Sequence, residues 1–81
     1  MTTHDQIIAK VAAQHGLRPK DITGPRTNRR IAWARQQAMH EIAETTHWSN
    51  ADIGEVMNRD HSTVRHGIAA HRARLAKEAA E

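Results

Sequence analysis

The chain of 81 residues has no cysteine, no phenylalanine and no tyrosine, and only two tryptophans. Without thiols it has neither disulfides nor thiolate metal sites to staple a small core. No apolar run approaches the length of a signal h-region or a membrane span, and the N-terminus, MTTHDQ, is polar, so a cytoplasmic protein with no membrane contact is expected. There is no G-x-x-x-x-G-K-[ST] run, which excludes a phosphate-binding ATPase loop from this stretch. Strand alternation, internal repeats and low-complexity tracts are absent too. A chain of this size buries only about 60% of its unfolded surface, so a marginal stability of about 5 kcal/mol is expected.

What is present is charge, sorted along the chain. Residues 18–35 carry Arg18, Lys20, Arg26, Arg29, Arg30 and Arg35 against Asp21 alone, and residues 59–74 carry Arg59, Arg65, Arg72 and Arg74 against Asp60 alone. Between them, residues 36–58 hold Glu41, Glu44, Asp52 and Glu55 with no lysine or arginine. Two basic segments around an acidic one fit a polyanion-facing surface with an acidic back. An ion-paired helical protein with no such partner would show the same balance.

The apolar spacing is helical throughout. Thr3 with Gln6 forms a capping box ahead of Ile7, Ile8, Val11 and Ala12, and Gly16 sits where that helix ends. Leu17 and Ile22 pin Arg18 to Gly24 to the core as a short helical turn, with Pro19 at its start. Gly24 to Arg30 is a loop with three guanidinium groups and no acid, and Thr27 or Asn28 caps the next helix. That long helix runs to about Thr46, with Ile31, Ala34, Arg35, Ala38, Met39 and Ile42 on one face. Arg35 is the odd member there and must snorkel to solvent, meet a carboxylate or reach a phosphate. Opposite lie Trp33, Gln37, His40 and Glu44. Trp33 either packs against the first helix or the basic loop, or points outward as a partner contact. Trp48 reads as a hydrophobic staple or a core residue.

Ser49 to Gly67, SNADIGEVMNRDHSTVRHG, carries the most specific pattern. Ser49 with Asp52 makes an acidic capping box, and Ile53, Val56 and Met57 form one apolar stripe. Asn58 stands at the turn, where it tolerates the left-handed conformation, and Gly54 lets two helices approach closely. Asp60 caps a second helix that opens with His61, Ser62 and Thr63 and begins its buried stripe at Val64 and Ile68. This is a helix-turn-helix over about 49–67, with the recognition helix starting at His61 and running towards Leu75; Ala76 to Glu81 is expected to fray.

The segments IIAKVAAQHGLRPKDITG, RIAWARQQAM, SNADIG and NRDHSTVRHG, in that order over roughly residues 6–72, resemble the C-terminal DNA-binding domain of the bacterial replication initiator DnaA. The resemblance implies an all-α, compact domain of four to five helices, Trp-repressor-like, filling residues 1–81 with its core at about 3–75. It implies that Asp60, His61, Ser62 and Thr63 face base edges in the major groove of double-stranded DNA and that Val64 meets a thymine methyl or a sugar. Arg59 and His66 would lie on the backbone, and Arg26, Arg29 and Arg30 are the candidates for an arm in the adjacent minor groove. Arg35 joins them as a candidate phosphate contact. The chemistry agrees, since a helix N-terminus attracts phosphate while hydroxyls and imidazole read base edges and arginine reads a narrow minor groove.

Departures from the family pattern carry expectations of their own. The turn is one residue shorter than usual, Ser62 replaces a threonine, and Ala43 stands at a position often basic. Arg65 replaces an apolar residue and adds a phosphate contact, while Thr27 falls at or near the family's minor-groove arginine. The initiator's own binding sequence is therefore not expected to be read unchanged. Lacking the ATPase, the chain is expected to be a fragment or a free-standing regulator of transcription, of the kind carried by phages and gene-transfer elements. It would be nucleoid-associated and monomeric alone, with another protein or a further C-terminal domain as a second candidate partner. The alternatives are a competitor for initiator sites and a protein-interaction module using the Trp33 and His40 face.

No enzyme, cofactor or metal reading survives the spacing. His61, His66 and His71 are five apart and do not share a helical face. His15, next to Gly16, suits a helix C-terminal dipole. Glu41 and Glu44 read as solvent-facing, with no apolar pocket to raise a carboxyl pKa for acid–base work.

Overall fold

The computed structural model describes residues 2–80 and places five helices among them: α1 (Thr3–Gln14), α2 (Pro19–Thr23), α3 (Arg29–Thr45), α4 (Asn50–Met57) and α5 (His61–Ala80). The expected all-α architecture is present, and no described helix is long and apolar enough to cross a membrane.

Local signals set most of the boundaries. α1 is capped one residue earlier than the Thr3–Gln6 pairing predicts. The Thr2 hydroxyl accepts from the Asp5 amide at 3.3 Å and donates to the Asp5 carboxylate at 2.8 Å, an anionic partner that the helix dipole favours over the neutral Gln6. α1 closes in a Schellman turn. Gly16 adopts φ +68, its amide reaching Ala13 O at 3.2 Å and the Leu17 amide reaching Ala12 O at 2.8 Å. Asn28, the second of the two cap candidates, starts α3 by accepting from the Ile31 amide at 3.0 Å.

α3 is the axis of the fold and packs against each of the other four helices. It buries Ile31, Ala34, Arg35, Ala38, Met39 and Ile42, the face that the 3.6-residue period picks out. Onto it α1 lays Ile7, Ile8, Val11 and Ala12, α2 lays Ile22, and α4 and α5 lay Ile53, Met57, Val64 and Ile68. Gly67 permits the α3–α5 approach, because a Cβ there would stand 2.7 Å from Met39 Sδ.

Three expectations change. Glu41 is not solvent-facing: three quarters of its side chain is covered, and it accepts from Lys10 at 2.6 Å and from Gln37 at 2.8 Å, tying α1 to α3. Trp48 is not a core residue. It stays 37% exposed, its indole 5.0 Å from the His4 ring, and bridges the start of α1 to the lead-in of α4. The last helix does not stop near Leu75 but continues to Ala80, since Arg74 to Ala80 are all strong helix formers with Lys77 favourably placed in the final turn. Glu81, the end of the segment expected to fray, lies outside the described residues.

Candidate nucleic-acid interface

The two helices of the candidate reading head are joined as their sequence predicts. Ser49 accepts from the Asp52 amide at 3.1 Å while Asp52 accepts from the Ser49 amide at 3.2 Å. α4 ends at Asn58 in the left-handed conformation, φ 56 and ψ 43, which Asn adopts at lower cost than most residues. The Arg59 amide then donates to Gly54 O at 2.8 Å. Gly54 is required there, since a side chain would collide with the Arg59 carbonyl oxygen. Asp60 starts α5 by accepting from the Thr63 amide at 2.8 Å. That bond, ahead of smaller contributions from the Thr63 side chain, Ser62 and His61, holds its carboxyl below the usual range. One carboxylate oxygen of Asp60 is thus committed to the cap.

Of the residues expected to face base edges, Asp60, His61 and Thr63 are exposed and Ser62 is half-buried. Arg65 and His66 are exposed as well. Val64 is not available to a thymine methyl or a sugar. It is fully buried in the core, because its position on α5 points at α3 and α4, and its contribution is to hold the reading helix in place.

Arg35 needs a larger correction. It is only 4% exposed, and its guanidinium turns inward to backbone carbonyls rather than to solvent or a carboxylate, at the floor of the groove described below. Its Nε donates to Ile22 O at 2.6 Å, and one terminal nitrogen donates to Gly24 O at 2.9 Å, Arg26 O at 2.8 Å and Asp21 O at 3.2 Å. The planar fork of donors suits carbonyls that converge from a helix end and a loop. Burial, and then the nearby Arg59 charge, lower its pKa to about 10, so it stays protonated at neutral pH. Arg35 is removed from the DNA-contact set and becomes the internal anchor of the basic loop.

Arg59 works from the other side. It donates to Gly24 O at 2.7 Å and to Asn58 O at 2.9 Å, and Asn58 Nδ2 donates to Thr23 O at 3.0 Å. The turn of the helix-turn-helix is therefore bolted to the root of the basic loop, a linkage that the linear spacing does not reveal. The one available signal was the lone arginine on the apolar face of α3.

Arg26, Arg29 and Arg30 all remain exposed, but the structure separates them: Arg26 stays in the loop, whereas Arg29 and Arg30, expected there too, form the first turn of α3 behind the Asn28 cap. Arg30 Nε donates to His15 O at 3.0 Å, so it leans on the end of α1. The Arg29 guanidinium lies 5.7 Å from the centre of the Trp33 ring. Arg26 has its carbonyl held by Arg35. A groove of about 330 Å³ has walls drawn from Thr27 of the loop, Gln36 of α3, Arg59 of the turn, and Thr63 and His66 of α5. The loop and the opening turns of α5 thus stand on the same side of the molecule. Thr27, placed by the resemblance at or near the family's minor-groove arginine, lies on this surface, and Gln36 joins it without having been singled out. No acidic side chain lines this groove, and Glu44 lies 3.2 Å from His40 and 3.3 Å from Arg72.

Comparison with known proteins points the same way. A family model described as the bacterial DnaA protein helix-turn-helix matches residues 4–70. The chain is 41% identical over 66 residues to the chromosomal replication initiator protein DnaA 2 of Protochlamydia amoebophila, covering 82% of this chain and 15% of that protein. It is 39% identical over 64 residues to the DnaA of Thermus thermophilus, covering 78% of the chain and 15% of the relative. With the DnaA of Neisseria meningitidis it shares 42% identity over 69 residues, 84% of the chain and 13% of the relative. The chain thus spans about 15% of the length of the curated relatives it matches. No solved structure matches it significantly.

Proposed function

The chain belongs to the bacterial DnaA helix-turn-helix family, and from that premise we propose that it binds double-stranded DNA sequence-specifically and acts as a transcriptional regulator. The opening turn of α5 enters the major groove, where His61, Ser62 and Thr63 reach base edges with Asp60 beside them. Arg65 and His66 meet the backbone, and Arg26 of the loop, with Arg29 and Arg30 of the first turn of α3, follows the adjacent minor groove. Carrying this reading is the shared groove in which Thr27 and Arg59 stand against Thr63 and His66, because one duplex can meet both elements only if they lie on one side.

Replacing His61 or Thr63 by alanine is expected to weaken binding to the preferred duplex by about 1–3 kcal/mol and to relax preference at one base position. Neutralising Arg26, Arg29 or Arg30 is expected to weaken binding to all duplexes and to flatten its salt dependence. Anisotropy titrations across salt, on a duplex selected from a random pool, read both. Equal affinity of wild type and the double His61→Ala, Thr63→Ala variant would end the recognition-helix assignment.

A second reading is supported by the initiators among the relatives: the chain competes with a replication initiator for its sites. The selected sequence decides between them. Enrichment of the initiator's own boxes supports competition, and an unrelated consensus supports a separate regulatory target.

A further inference from the structure

The α5 residues that line the groove beside the basic loop are Thr63, His66, Gly67 and Ala70, spaced three and four apart along one stripe. A second hollow of about 250 Å³ takes the stripe two residues on: Arg65, Ile68, Ala69 and Arg72 of α5, with Ala43 of α3 and Asn50 of α4. Two residues are about 200° of helical rotation, so the two hollows lie on opposite flanks of the same helix.

No acidic side chain lines the second hollow either. Ala43 and Ala69 keep it open, and both of its arginines are exposed. No hydrogen bond or ion pair holds the Arg65 guanidinium among the described residues, and Arg72 meets only Glu44, at 3.3 Å. Both members of that pair are mostly exposed, so solvent keeps it weak and a phosphate can displace the carboxylate. The arginines stand seven positions apart, about 10 Å of rise on nearly the same face. Helical side chains lean towards the N-terminus, so Arg72 covers the turn before it, on the side of the opening residues.

A helix with its side chains is about 10–12 Å across and the major groove is about 12 Å wide, so a seated helix has a phosphate strand on each flank. The groove beside the loop serves one strand, through Arg59 and His66. We propose that Arg65 and Arg72, with Asn50 beside them, grip phosphates of the other strand, so that α5 is clamped from both sides. Arg65 lies about 6 Å along the axis from His61 and Arg72 about 16 Å, against a groove about 8.5 Å deep. Arg65 therefore meets the groove wall and Arg72 its rim. The clamp rests on the assignment of α5 to the major groove, and adds the strand and the residues that hold it.

Anisotropy titrations across salt on the selected duplex compare the full 81-residue chain with Arg65→Gln, Arg72→Gln and the double variant, each first checked for native helix content. Each substitution is expected to lower the slope of log affinity against log salt by about 0.9, and the pair by about 1.8, with base preference unchanged. Placing an uncharged methylphosphonate at each phosphate in turn then locates the contacts. Wild type should lose affinity at phosphates on the strand across α5 from those that His66→Ala no longer senses, and the double variant should be indifferent there. A selective wild type whose slope and methylphosphonate pattern survive the double substitution overturns the clamp alone. Equal binding of every duplex by wild type overturns the major-groove assignment and the clamp with it.

Discussion

Replacing Arg35 by methionine tests whether the basic loop is held from within. Methionine keeps most of the aliphatic stem and removes every donor. The four carbonyls do not lose equally. Gly24 O retains its bond from Arg59 at 2.7 Å, and water can take over at Asp21 and Arg26, whose bonds are only partly buried. Ile22 O is different: its 2.6 Å bond is buried, and an acceptor left unpaired there costs about 1–3 kcal/mol, on top of the loss of a charged donor. Relief of the repulsion between Arg35 and Arg59 offsets part of this. A net loss of about 2–4 kcal/mol follows, a large share of the roughly 4–12 kcal/mol available to a chain of this length.

Urea unfolding followed by circular dichroism reads the global term. Trypsin cleavage after Arg26, Arg29 and Arg30 under native conditions reads the local one, and should quicken. Arg35→Lys should fall between wild type and methionine, because one ammonium can replace the terminal nitrogen that meets Asp21, Gly24 and Arg26 O but cannot also supply the separate Nε donor to Ile22 O. If Arg35→Met shifted stability by less than about 0.5 kcal/mol and left the loop as protected as before, the anchoring argument would be refuted.

Gly54→Ala should cost at least about 1–3 kcal/mol in the same unfolding assay, because the new methyl meets the Arg59 carbonyl, a backbone atom with no rotamer to change. Asn58→Ala should lose about 1–2 kcal/mol from left-handed strain and from the missing bond to Thr23 O, while Asn58→Gly should lose only the bond. For Glu41, burial pushes the pKa up but the bonds from Lys10 and Gln37 bring it below the usual range. The stability it contributes is therefore complete above the ordinary carboxylate range and is lost as pH falls through its folded value; Lys10→Met should weaken that acid slope in a pH series of urea midpoints. His71, lowered by burial, His40 and Arg74, binds a proton more readily when unfolded, so stability should fall as pH drops below about 6.5, and His71→Leu should flatten that interval.

Local chemistry was legible wherever a residue acts within one or two turns of itself. The Ser49–Asp52 box, the left-handed Asn58 and the Asp60 cap follow from residue type and position because their partners lie within a few positions, and the apolar face of α3 follows from its period; Gly54, expected to let two helices approach, instead clears the Arg59 carbonyl of the turn. The cap of α1 slipped by one residue because two adjacent threonines compete, and the anionic Asp5 decides between them. Arg35 and Val64 were misassigned for a common reason. A family role and a helical wheel say which way a side chain leaves its own helix, but not what stands opposite.

By itself, then, the sequence determined four helices and a short helical turn, the caps at Ser49 and Asp60, the core-facing stripes and a basic stretch ahead of a helix-turn-helix, since each is written in periods and neighbours along one chain. Tertiary structure alone decided that Arg35 and Arg59 meet at Gly24 O from positions 11 and 35 residues away. It alone placed Thr27 across a groove from Thr63 and brought Arg74 of α5 over the ring of Trp33 and within hydrogen-bond reach of Gln36 on α3. Bonds of that range depend on where helices cross, and crossing geometry emerges only when all the apolar faces are buried together.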